Sequence, residues 1–110
     1  MPRIDEPPPP EIPAGLEHML PVFVAEMEKD AARLQELAEA PADDLAEHAH
    51  GARGKAAMFG EERLFTLFTR IEQMALSGGD RAELPSLVAQ IIERLAQLRV
   101  YVASFGSGQA

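Results

Sequence analysis

The sequence predicts an all-α protein, an antiparallel up-down-up-down four-helix bundle. Hydrophobic residues recur at intervals of three and four through four successive segments, and no segment alternates with a period of two. The segments are separated by short breaks at Pro41, Gly60 and the pair Gly78 and Gly79. Short connections force neighbouring helices to run antiparallel, which makes a bundle. At ~100–200 residues per domain, 110 residues hold one such unit.

Six of the nine prolines precede Ala14, including the run at positions 7–10, so residues 1–14 read as a disordered, extended arm. The bundle occupies residues 15–105, and the Gly-Ser-Gly sequence at 106–108 opens a frayed tail, residues 106–110. Residues 16–20 can form a separate short turn packed across the end of the bundle. The first long helix carries Leu20, Phe23, Val24, Met27, Ala31, Leu34 and Ala38 on one face, with Pro21 in its first turn, where a missing N–H costs little. Asp43 or Asp44 can cap the second helix, whose inner stripe is Leu45, Ala49, Ala52, Ala56 and Phe59 before a left-handed stop at Gly60. A third helix from about residue 61 to 76 buries Leu64, Leu67, Phe68, Ile71, Met74 and Ala75. The fourth buries Leu84, Leu87, Val88, Ile91, Leu95, Leu98 and Val102. Its start is open between a capping box of Asp80 with Glu83 and a Pro85 at the first helical position.

Composition removes several functions. Ten basic residues face eighteen acidic ones, a formal charge of −8, which disfavours nucleic acid and anionic membranes as main partners. No cysteine is present, so disulfides, thiolate zinc sites and cysteine nucleophiles are excluded. The longest apolar run, residues 20–25, is far short of the ~20 residues a bilayer requires. The proline-rich, acidic N-terminal stretch fits neither a signal nor a transit peptide, and a cytoplasmic protein is expected.

The chemistry gathers on the second helix. Gly51 and Gly54 both fall inside it, at a cost of roughly 1 kcal/mol each relative to alanine. At ~100° per residue, His50 lies one step from the buried stripe, and Arg53, Gly54 and Ala57 continue its outer strip. Gly54 removes the side chain that would flank the imidazole, and Arg53 sets a cation one turn away. An open imidazole beside a cation suits transfer of an anionic group to or from a ring nitrogen. His48 lies about 200° round the helix from His50 and reads as a surface residue. Two helical metal ligands need a spacing of three or four, so the two histidines are not a metal pair. His18 reads as solvated. Thr66, Thr69 and Arg70 on the third helix can border the site.

The run Ala49, His50, Gly51, Ala52, Arg53, Gly54, Lys55, Ala56, with Gly60 ten residues past the histidine, resembles the histidine phosphotransfer domain family. That family's signature is roughly A-H-x-L-K-G-[SA]-[SA]-x-x-x-G, followed by a helix ending in Leu-Glu. Ile71 and Glu72 fall at the Leu-Glu position and Gly78 and Gly79 at the closing glycine, so the likeness spans about residues 20–103. Met58, Phe59 and Gly60 are especially similar to the phosphotransfer domains of chemotaxis kinases. Arg53 stands for the family's lysine, Ala52 for its leucine and Lys55 for a small residue.

The resemblance implies that His50 accepts a phosphoryl group on Nε2 and exchanges it with a receiver-domain aspartate. Glu72 matches the acidic residue that holds the proton on Nδ1 and orients the ring. Arg53 would offset charge on the phosphoryl oxygens. Gly54, Lys55 and Ala57 would border the bound partner, with Lys55 either a second basic contact or a solvated lysine. The expected partners are a response-regulator receiver and a sensor or chemotaxis-type histidine kinase. No metal or cofactor is expected on this chain; magnesium belongs to the receiver. The chain reads as a monomeric carrier and not a kinase, since 110 residues leave no room for a nucleotide-binding domain. Both a free-standing carrier and one domain of a larger kinase remain open. The alternative is a helical module that docks a signalling partner without carrying phosphate.

Overall fold

The structure, a computed structural model, describes residues 11–78 and 80–108, with side chains through residue 103. A short 3-10 turn, Glu17–Met19, leads into four helices: α1 (Leu20–Glu36), α2 (Ala42–Met58), α3 (Glu62–Leu76) and α4 (Leu84–Gly108). Contacts join α1 to α2, α2 to α3, α3 to α4 and α4 back to α1, so the four helices close a ring around one core. The expected all-α four-helix bundle is therefore what forms. Among the described residues no helix is long and apolar enough to cross a membrane.

The apolar spacing places the core as expected. Val24, Met27, Leu34, Leu45, Leu64, Phe68, Ile71 and Ile91 are fully enclosed, each side chain contributing about 1.5–3 kcal/mol of burial. Ala38, Phe59, Met74 and Val102 are only partly buried against this core. Phe59 instead stacks on Phe23 at 4.3 Å between ring centroids, tying the end of α2 to the start of α1.

Helix ends follow local chemistry, with some differences from expectation. Pro21 lies in the first turn of α1. α2 is preceded by Pro41, whose carbonyl accepts from Asp44 and Leu45 N–H; neither Asp43 nor Asp44 caps. Both aspartates sit in the first turn, where carboxylates complement the helix dipole. α2 ends in a Schellman motif: Gly60 N–H donates to Ala57 O and Glu61 N–H to Ala56 O, with Gly60 at φ +65°. The carbonyl of Glu11 packs so closely on Gly60 that any Cβ there would collide with it. In α4, Pro85 is the second residue. Asp80 Oδ1 accepts from Ala82 N–H at 2.9 Å, so the aspartate closes the preceding turn and not the helix.

Most of the expected arm, and Gly79, lie outside the described residues. Glu11–Ala14 are irregular up to a turn at Ala14, and Ile12 packs part-buried on the core. α4 runs through Gly108, so residues 106–108 are helical where a frayed end was expected; no proline after Pro85 interrupts the chain.

Two arrangements position the candidate site. The inner face of α2 is alanine at positions 46, 49, 52 and 56, all buried, which lets α2 and α3 approach closely along their most extensive contact. At the far corner, the Arg94 side chain of α4 is buried against Glu61, which immediately precedes α3.

Candidate functional site

His50 projects from the shoulder of α2 with its side chain 61% exposed. Its Nδ1 lies 2.8 Å from Oε2 of Glu72 on α3, a carboxylate whose side chain is only 15% exposed. A carboxylate oxygen at that distance requires a proton between the two atoms, and Glu72 accepts it from Nδ1–H. Nε2 is the ring nitrogen on the side away from Glu72, and with Nδ1–H bonded to the acid it carries the lone pair whenever the ring is neutral.

Arg53, one turn along α2, completes the group. Its Nε lies 3.3 Å from Glu72 Oε1, its Nη2 lies 3.3 Å from His50 Nδ1, and its guanidinium carbon sits 5.6 Å from the centroid of the Phe65 ring. Since Nδ1 already donates to Glu72, the Arg53–His50 approach brings two donors together, and the carboxylate is the partner of both. Histidine and arginine from α2 thus converge on one acid from α3. The antiparallel contact sets His50 opposite Glu72 and Arg53 between Glu72 and Phe65, two turns apart on one face of α3.

Gly54 and Ala57 are exposed on α2, as their positions require. A Cβ built at Gly54 meets no atom within 4 Å, and the same holds at Gly51. Neither glycine is needed for packing.

Lys55 is directed elsewhere. Its Nζ donates to Asp30 Oδ2 at 3.0 Å, on the α1 flank of α2, so it faces away from His50. Asp30 is buried, and His48 Nε2 lies 3.0 Å from its other oxygen without forming a hydrogen bond. His48 is therefore half-buried against α1 and not a solvated surface residue, because Asp30 interrupts the apolar stripe of α1 beneath it. His18 is exposed. Thr69 donates to the carbonyl of Phe65 at 2.7 Å, whereas Thr66 and Arg70 line the cleft between α3 and α4, on the other flank from His50.

The arrangement offers an exposed imidazole, an acid against its Nδ1 and an unobstructed approach beside Gly54. Among the described residues no group of three or more histidine or acidic side chains could hold a metal ion. No curated protein and no solved structure matches the chain significantly. The family model for the Hpt domain matches residues 18–101, which take in α1–α3, most of α4, His50 and Glu72. This chain belongs to the histidine phosphotransfer (Hpt) domain family.

Proposed function

We propose that this chain is a phosphorelay carrier that takes a phosphoryl group on Nε2 of His50 and exchanges it with the aspartate of a receiver domain. Membership of the Hpt family makes it a phosphocarrier of two-component signalling, with kinases and receivers as its partners. The observation that carries the assignment to His50 is the 2.8 Å contact of Nδ1 with Glu72 on an otherwise exposed ring.

The neutral ring attacks the phosphorus of an aspartyl phosphate through the Nε2 lone pair. The phosphorus–oxygen bond to the aspartate breaks, and its electron pair leaves on the receiver's carboxylate. The ring gains a nitrogen–phosphorus bond while keeping its proton on Nδ1, so positive charge develops beside Glu72 and is stabilised there. The reverse step returns the group to a receiver. Magnesium chemistry belongs to the receiver's aspartate.

The test is transfer of label from a phosphorylated receiver to the wild-type chain and to His50→Gln. Label is expected on the wild type only, labile in acid and stable in base as a nitrogen–phosphorus bond is. The substitution should leave the fold intact because His50 lies outside the core. Label persisting in His50→Gln would move the chemistry to another side chain. Receiver binding without any transfer would leave a docking module.

A further inference from the structure

Position 53 carries an arginine whose guanidinium lies on the Nδ1 side of the imidazole. One edge meets the free oxygen of Glu72, with Nε 3.3 Å from Oε1, and its carbon lies 5.6 Å from the centre of the Phe65 ring. The oxygen that Arg53 leaves unclaimed is the one facing His50, 2.8 Å from Nδ1. A cation beside Oε1 favours the carboxylate orientation that turns the other oxygen, Oε2, to His50. A lysine ammonium is a compact point charge on a flexible stem and cannot set one nitrogen beside an acid while its planar head spans to an aromatic ring.

Phe65 is the platform in this arrangement. It lies part-buried against the core, and its backbone carbonyl is tied by the Thr69 hydroxyl at 2.7 Å. The aromatic ring attracts the cation while Nε stays turned to Glu72.

We propose that Arg53 and Phe65 are a positioning pair, in which the Phe65 ring seats Arg53, Arg53 fixes Glu72, and Glu72 holds the Nδ1–H tautomer of His50. The role is distinct from neutralising the phosphoryl group. The Arg53 guanidinium lies beside Nδ1, and the bond to phosphorus forms at Nε2. Position 53 then requires the shape of arginine as well as its charge. This inference rests on His50 as the acceptor.

The experiment compares Arg53→Lys, Phe65→Leu, the double variant and Phe65→Tyr. Rates of phosphoryl uptake from a phosphorylated receiver are measured beside the tautomer of His50, read from 15N chemical shifts of the unphosphorylated protein. Arg53→Lys and Phe65→Leu should each slow uptake several-fold, up to about tenfold, the scale of one cation–π contact. Both should mix the tautomers of His50 without loss of helical circular dichroism. Phe65→Tyr, which keeps the aromatic face, should retain the wild-type rate and a single tautomer. The double variant should lose no more than the worse single one, because the two residues act in series. Wild-type behaviour of Arg53→Lys in both readouts would show that charge alone suffices and overturn the proposal, as would multiplied losses in the double variant. The tautomer readout needs no phosphate. A failure of His50 as acceptor would appear in the His50→Gln labelling and leave that spectrum unchanged.

Discussion

Arg94 of α4 grips the Glu61 carboxylate in a two-pronged buried contact, Nε to Oε1 at 2.7 Å and Nη2 to Oε2 at 2.9 Å. Its remaining Nη1 donates to Gln97 at 3.1 Å, so the buried guanidinium is met on both sides. Glu61 is the residue from which α3 departs, and the pair sets where α3 begins relative to α4.

Removing one partner should therefore cost far more than removing both. Arg94→Ala leaves a carboxylate that is 1% exposed without a counter-charge, and the expected loss is about 3–5 kcal/mol in urea unfolding. Replacing the pair with apolar residues of similar volume, Glu61→Leu with Arg94→Met, should recover most of that loss. Equal destabilisation by the single and double changes would mean the pair supplies net attraction and not merely mutual compensation.

This pair also shows where sequence reading stops. Leucine, isoleucine and alanine at helical spacing announce the bundle because burial demands one face and nothing else. Arg94 sits at the same spacing, three past Ile91, and Asp30 three past Met27, yet each is a charge in an apolar stripe. What makes their burial tolerable is a partner 33 residues away for Arg94 and 25 away for Asp30. Spacing along one helix carries no information about that partner. The pairing of His50 with Glu72 was legible through the family resemblance, which implies an acid on the adjacent antiparallel helix, twenty-two residues past the histidine. Arg53 and Lys55 have long stems that reach either flank, and both turn to acids, Glu72 and Asp30, that spacing alone does not identify as their partners.

Glu72→Ala should slow phosphorylation of His50 without abolishing receiver binding. The nucleophile survives, but its ring is free to rotate and to exchange its proton between nitrogens. Carboxylates that orient metal-bound imidazoles set the scale, a loss of roughly 10–100-fold. Uptake kinetics and receiver titration, measured on the same variant, separate the two effects. A variant that binds and reacts like the wild type would mean the 2.8 Å contact does not prepare the ring.

The α1–α4 seam carries its own pH signature. Hydrogen bonding from the Arg99 guanidinium holds the Glu28 carboxyl below its ordinary 4.5, and Glu28 in turn raises Arg99. A lowered acid stabilises the fold fully above 4.5 and loses that contribution as pH falls through the folded value. Glu28→Gln should therefore melt below the wild type at about pH 7, and the difference should shrink as pH falls through the folded value, below 4.5. High salt should narrow the difference at neutral pH, since both side chains are nearly half exposed. A gap that stays the same as pH falls would assign the effect to packing of the side-chain stem.

Gly54 is the residue that packing does not explain. It is exposed in mid-helix, and a Cβ there meets open space, so the fold would accept a side chain. Alanine should stabilise the domain by up to about 1 kcal/mol, because it is the better helix former. Leucine, facing solvent, should cost little. Both add bulk one turn from His50, where an aspartyl phosphate and the receiver around it must come within bonding distance of Nε2. Close approach governs the rate of such a reaction, and displacement by about 1 Å can cost on the order of 100-fold. Transfer should therefore fall in the order Gly, Ala, Leu while thermal stability follows a different order, with alanine highest. Calorimetry and receiver-to-histidine transfer on the three proteins give the two rankings. Equal transfer rates would leave the open flank without a part in docking, and a rate that tracks melting temperature would make Gly54 a matter of helix stability alone.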